Sequence, residues 1–172
     1  MHLFGGCAMP GRRPRVYWDA NCFLHLINRD PRWFPTLEIL LEEAAIHRTT
    51  EIVTSVLSVS EVAFAAIEKH QRAFDEKKEA EIEAFWIGNK GIILGDYSVL
   101  IAREARRLRR EEMVQGWKSV KLPDLIHLAT AVRMGAERIY TTEPRLHHYS
   151  TLIGIPVGVP FTAKQRLPGL DG

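Results

Sequence analysis

Hydrophobic and polar positions along this chain follow two rhythms. Short β-branched and aromatic runs read as buried strands: Val16-Tyr17-Trp18, Glu51–Val56, Ile92-Ile93-Leu94, Arg138–Thr141 and a final Pro156–Pro160. Between them, apolar residues recur every three or four positions, the spacing of a helix with one buried face. This pattern predicts helices over Cys22–Ile27, Pro35–His47, Asp75–Trp86, Ser98–Glu112 and Pro123–Met134. A further helix is predicted to open at Glu61, after a serine-rich turn from Ser55 to Ser60, and to bury Val62, Ala65 and Ala66. Asn28, Asp30 and Pro31 mark a turn, as do Gly88, Asn89 and Gly91; Gly135 closes the Pro123 helix. Val114–Lys121 reads as a loop. Strands alternating with helices imply one α/β sandwich, a mostly parallel sheet covered on both faces.

In such a sheet every strand ends on one edge, and every following helix starts there. Open α/β sheets bind ligands along that edge. Three carboxylates reach it from their sequence positions alone: Asp19 at the end of the first strand, Glu61 after the second and Glu143 after the fourth. Asp124 opens the Pro123 helix, and bringing it to the same rim requires a bend that the pattern does not dictate. Each acid also has a local explanation. Asp19 suits a helix cap, Ser58-x-x-Glu61 matches a capping box, Asp124 suits a helix dipole, and Glu143-Pro144 suits a turn. Together they carry more weight, because clustered carboxylates in a partly desolvated cleft either take up protons or hold a cation. Hard oxygen ligands with positions left to water suit Mg²⁺ or Mn²⁺.

Composition narrows the alternatives. The chain has 172 residues, enough for one domain with a sizeable core. Its net charge is only +2, so affinity for a polyanion must come from local clustering. Arg103, Arg106, Arg107 and Arg110 supply such a cluster along one face of the Ser98 helix, with Arg109, Lys118 and Lys121 nearby, and a solvated basic face is the plain alternative. Trp117 beside Lys118 suits either stacking on a splayed base or packing onto its own domain. Cys7 and Cys22 lack disulfide or metal-site spacing and read as reduced thiols. No apolar run reaches transmembrane length, and MHLFGGCAMPGRRP lacks the apolar core of a signal peptide. The expected organisation is a flexible extension over 1–14, a single domain over 15–160 and a tail over 161–172, in a cytoplasmic protein. His127 follows Asp124 by one helical turn and reads as a surface or core-edge histidine with the option of facing the cleft; the His147-His148 pair reads as surface loop.

Four motifs in this order resemble the PIN-domain ribonucleases: VYWDAN, TSVLSVSEV, PDLIHLATAVRMGA and RIYTTEP, spread over roughly Arg15 to Val159. Size and character are similar to the VapC-type toxin of a toxin–antitoxin pair. The resemblance implies a three-layer fold with sheet order 3-2-1-4-5, which brings Asp124 to the acidic rim. It implies Mg²⁺ or Mn²⁺ held by Asp19, Glu61 and Asp124, with Glu143 assisting where the family usually has aspartate. It also implies that Asn21 is the small polar residue of the turn after the first strand and lies near the substrate. The implied activity is endonucleolytic hydrolysis of RNA, and the implied partners are RNA, an antitoxin protein and a second copy of the chain. Two rivals stand beside it. One is a catalytically weak relative that acts by binding RNA or a protein, which the glutamate at position 143 favours. The other is a haloacid-dehalogenase-type phosphatase, whose chemistry wants an acid where this chain has Asn21.

Overall fold

The computed structural model describes residues 12–63, 75–89 and 91–162. In chain order the elements are β1 (Arg15–Trp18), α1 (Ala20–Ile27), α2 (Phe34–Ala45), β2 (Glu51–Ser55), α3 (Leu57–Ala63), α4 (Glu76–Gly88), β3 (Ile92–Gly95), α5 (Val99–Val114), α6 (Leu122–Arg133) and β4 (Arg138–Tyr140). A 3₁₀ segment (Pro144–Tyr149), α7 (Ser150–Ile153) and β5 (Val157–Gly158) complete the fold. All four strand pairings are parallel, and the order is β3-β2-β1-β4-β5. The expected three-layer α/β architecture and its 3-2-1-4-5 order are therefore present.

Strand alternation sorts the core into two layers. Tyr17, Val53 and Ile139 face the side packed by Leu108 of α5 and by Leu125, Leu128 and Ala129 of α6. Trp18, Ile52 and Tyr140 face the other side, against Phe23, Leu37, Val62 and Ile82 of α1 to α4. Trp18 and Tyr17 are wholly buried at the centre of the sheet, and burial of a large side chain contributes about 1.5–3 kcal/mol. Gly135 takes φ +66° immediately beyond α6, a left-handed turn that glycine adopts without steric cost.

Three boundaries differ from the sequence reading. α3 begins at Leu57 rather than at Glu61, so Glu61 stands one turn inside a helix. The Ser58 hydroxyl pairs with Thr54 Oγ1 at 2.7 Å, and Glu61 turns to a distant partner instead of capping its own helix. The domain also starts earlier and runs on later than 15–160. Arg12 donates to the Met134 carbonyl at 3.3 Å, Arg13 pairs with Glu51 at 3.0 Å, and the Pro14 carbonyl accepts from Glu51 N at 2.8 Å. Phe161 packs edge-on against Tyr140 at 5.6 Å. The rest of the expected extension and tail, Cys7, and the helix beyond Ala63 through Ala66 lie outside the described residues. The 3₁₀ segment was not expected; Glu143 caps it by accepting from Arg145 N at 3.2 Å.

The Val114–Lys121 loop is fastened from beneath by a buried carboxylate. Glu112 is fully buried on α5 and accepts from Val120 N at 2.7 Å and from Tyr149 OH at 2.6 Å, and Arg109 closes the remaining side. Arg109 also donates to the Val120 carbonyl at 2.7 Å. Burial works against ionisation here, but the hydrogen bonds from Tyr149 and Val120 and the Arg109 charge outweigh it and hold the carboxyl below the usual glutamate range. Glu112→Ala leaves Tyr149, Val120 and Arg109 facing a void, and we expect it to lower stability by about 3 kcal/mol in urea unfolding near neutral pH. Because the folded carboxyl ionises below its unfolded value of 4.5, that contribution is complete above 4.5 and fades as pH falls through the folded value. The gap between wild type and Glu112→Gln therefore narrows on acidification.

Candidate active site

Asp19 ends the central strand. Its backbone N–H continues the ladder to the Tyr140 carbonyl at 3.2 Å, and its side chain caps α1, with Oδ1 accepting from Cys22 N at 3.2 Å. Oδ2 accepts a short hydrogen bond from the Thr141 hydroxyl and a longer one, 3.4 Å, from Asn21 Nδ2. The carboxyl is only 4% exposed. Burial raises its pKa; the Thr141 hydroxyl, the His127 ring and the Cys22 amide pull the other way without cancelling the rise.

Asp124 lies in the first turn of α6, where Oδ2 accepts from Lys121 N at 3.0 Å. Its pKa is raised by burial first and then by the charges of Asp19 and Glu61, against the Lys121 N–H and His127. This mutual repulsion is the physical sign that the three acids share one neighbourhood. Glu61 approaches from α3 with Oε2 2.6 Å from His127 Nε2. His127 is buried on α6, and its Nδ1 lies 2.6 Å from Tyr17 OH. The first strand, the α3 helix and α6 thus meet at the carboxyl edge of the sheet.

Glu143 has a cationic partner that the sequence did not indicate. It stands after β4 as expected, but both its oxygens are held by Arg145, at 2.8 Å and 3.0 Å. That guanidinium leads the causes that hold its carboxyl below the usual range. The basic stripe is also thinner than expected. Arg103, Arg106 and Arg110 are exposed, whereas Arg107 forks onto Glu104 at 2.7 Å and Arg109 belongs to the Glu112 anchor. Lys121 is exposed beside Asp124, and Asn21 is exposed beside Asp19. Trp117 packs edge-on against His148 at 4.3 Å and Tyr149 at 5.3 Å, the domain-packing alternative of the sequence reading. The sequence reading missed Thr141 and Tyr17 as polar partners and left His127 undecided.

The donor set suits a hard divalent cation. Glu61 Oε1 and Asp124 Oδ1 accept no hydrogen bond among the described residues, so each acid keeps one oxygen open. Among the described residues no three His, Cys, Asp or Glu side chains form a ready group able to hold a metal ion. Mg²⁺ keeps several waters and commonly takes one or two carboxylates with substrate phosphates, so a partial protein cage accords with it. Asp124→Asn keeps an acceptor for Lys121 N and removes one of the repelling charges. We expect it to stabilise the metal-free protein at neutral pH by up to about 1 kcal/mol, the scale of a partly screened repulsion. Since the folded Asp124 pKa lies above 3.8, the gain holds above the folded value and vanishes as pH falls toward 3.8, which thermal unfolding across pH will show.

The profile of the PIN domain family matches residues 16–152. Among solved structures, the chain is similar to VapBC2 from Rickettsia felis bound to a DNA fragment from its promoter. That match has TM-score 0.60 and 18% identity, covering 83% of this chain and 96% of the other. It is similar to a toxin–antitoxin complex from Klebsiella pneumoniae, with TM-score 0.56 and 21% identity over 85% and 98% of the two chains. It is also similar to VapC20 from Mycobacterium tuberculosis, a sarcin–ricin loop cleaving toxin, with TM-score 0.56 and 12% identity over 75% and 90%. At these identities the likeness is one of fold. No curated protein matches the sequence. Among the described residues no helix is long and apolar enough to cross a membrane.

Proposed function

We propose, since this chain belongs to the PIN domain family, that it is a Mg²⁺- or Mn²⁺-dependent endoribonuclease, the toxin of a VapBC-type toxin–antitoxin pair. The observation that carries this reading is the meeting of Asp19, Glu61 and Asp124 at one sheet edge, close enough that each of the other two raises the Asp124 pKa. These three residues would hold the ion. When bound, a divalent cation lowers the pKa of its water and offsets charge on the attacking and leaving oxygens of the phosphodiester. Asp19 contributes a carboxylate fixed by the Thr141 hydroxyl and the α1 N-terminus, so its orientation is set before substrate arrives. Asp124 is similarly fixed by Lys121 N, and Glu61 by His127. Burial around Asp19 excludes water and strengthens the field at the cleft floor.

RNA phosphates would be met by the guanidinium groups of Arg103, Arg106 and Arg110, which pair with no carboxylate among the described residues, with Lys121 and Asn21 at the mouth of the cleft. Arg107 is assigned to Glu104 instead. The M. tuberculosis neighbour is a sarcin–ricin loop cleaving toxin, which makes structured RNA the first substrate to try. An antitoxin lying over the acidic rim, a homodimer and a cytoplasmic setting belong to the same reading. A second reading, a weakly active binder of RNA or protein, is favoured by Glu143 being neutralised by Arg145.

Purified protein given structured RNA and Mn²⁺ separates the two. Cleavage that Asp19→Asn lowers at least about a hundredfold, some 3 kcal/mol of transition-state stabilisation, is expected of the enzyme. Equal cleavage by both proteins, or none across diverse RNAs, goes against it. The Arg103→Ala, Arg106→Ala, Arg110→Ala triple variant is expected to flatten the slope of log K against log salt by about 0.7 per lost single-strand phosphate contact. Arg107→Ala should leave that slope near wild type.

A further inference from the structure

We infer that His127 is a positioning residue for Glu61, locked by Tyr17 into the tautomer that carries its hydrogen on Nε2. Glu61 sits on the half-buried α3 helix, and the only hydrogen bond to its carboxylate among the described residues comes from this ring. His127 is 4% exposed and has a polar partner on each nitrogen, Tyr17 OH at 2.6 Å and Glu61 Oε2 at 2.6 Å. A carboxylate accepts only, so Nε2 must donate to it.

The other nitrogen is decided by the phenol. Tyr17 OH is wholly buried and already accepts from Ser55 N at 3.1 Å. A phenol keeps its hydrogen at neutral pH, so this buried hydroxyl must place it. The neighbouring Thr54 hydroxyl gives its own hydrogen to the Trp18 carbonyl at 2.7 Å and is paired with Ser58 Oγ at 2.7 Å. Thr54 Oγ1 also lies within reach of the phenol, but Nδ1 of His127, at 2.6 Å, is the close acceptor and carries no other bond among the described residues. A hydrogen on Nδ1 would set donor against donor at 2.6 Å and turn the phenol away to the already doubly bonded Thr54 hydroxyl. Hydrogen bonds thus run one way, from Ser55 N–H to Tyr17, from Tyr17 O–H to Nδ1 and from Nε2–H to Glu61. A backbone amide of the central sheet thereby orients a carboxylate on a separate helix, and Oε2 is held while Oε1 stays open.

Outer residues of this kind typically change metal affinity by about ten- to a hundredfold when removed. That consequence rests on the ribonuclease reading; the tautomer does not. Two measurements on the full chain therefore answer separately. Long-range ¹⁵N–¹H correlation of the metal-free protein should show His127 protonated at Nε2 and bare at Nδ1, and Tyr17→Phe should admit the second tautomer. Wild-type protein with Nδ1 protonated, or with mixed tautomers, overturns the assignment. Mn²⁺ titration followed by electron paramagnetic resonance should show affinity about tenfold or more weaker in His127→Leu. His127→Gln, which returns an N–H donor at the same reach, should restore most of it. His127→Leu binding Mn²⁺ like wild type overturns the positioning role, as does Gln binding no better than Leu. Wild type that binds no Mn²⁺ overturns the ribonuclease reading instead, and the ring spectrum still decides whether His127 holds Glu61.

Discussion

A carboxylate buried at the end of the central strand must be compensated, and the compensation organises the rim. Asp19 is flanked by β2 on one side and β4 on the other, so its surroundings are largely desolvated. An uncompensated ion there would cost several kcal/mol. The chain meets that cost with groups from two directions: the first amides of α1, where the helix dipole also favours negative charge, and the Thr141 hydroxyl at the end of β4. Thr141 Oγ1 in turn accepts from Glu143 N at 3.0 Å, so the turn after β4 is fastened by the same group that steadies Asp19. Solvation of one acid thus fixes where α1 starts and how the Thr142–Pro144 turn leaves the sheet.

The other acids are placed by partners of graded strength. Glu112 and Glu143 each face an arginine and are held below the usual range. Asp19 and Asp124 pair with no arginine or lysine side chain among the described residues; burial raises both, and the charges of Asp19 and Glu61 add to the rise at Asp124. The fold therefore sorts its carboxylates by function. Where arginine neutralises the acid, the carboxylate is a structural tie; where only N–H and O–H groups meet it, negative charge is left for a ligand to neutralise. Strained charge of this sort at a cleft is what a stability–activity compromise predicts.

The sheet order follows the resemblance, and most elements were legible because each strand is an uninterrupted apolar run and each helix has a regular stripe. Asp19 and Asp124 were legible for a local reason, since each stands at the junction of two differing rhythms. The polar links between elements were not. Tyr17 sits in a β-type run and looks like core, and it is core by every measure except its hydroxyl. His127 interrupts the stripe of Leu125, Leu128 and Ala129 without changing its period, so spacing cannot reveal that its two nitrogens bridge sequence separations of 110 and 66 residues. Glu112 looks like any helical glutamate until the loop after α5 folds back onto it. The 3₁₀ segment was missed because RLHHY has no period of its own; its geometry comes from Pro144, the Glu143 cap and the Tyr149 anchor.

Charge distribution gives the final constraint on any polyanionic ligand. A net charge of +2 supplies little long-range attraction, and clustered carboxylates by themselves repel phosphate. Attraction must then come from basic groups whose charge is not already spent inside the domain. Arg107, Arg109 and Arg145 are each paired with a carboxylate, which takes them out of consideration despite their favourable sequence positions. Arg103, Arg106 and Arg110 face solvent along α5, and the Glu112–Val120 link ties the end of that helix to the loop leading into Lys121 and Asp124. The same buried glutamate that stabilises the loop thereby ties the exposed basic face of α5 to the turn that carries Asp124.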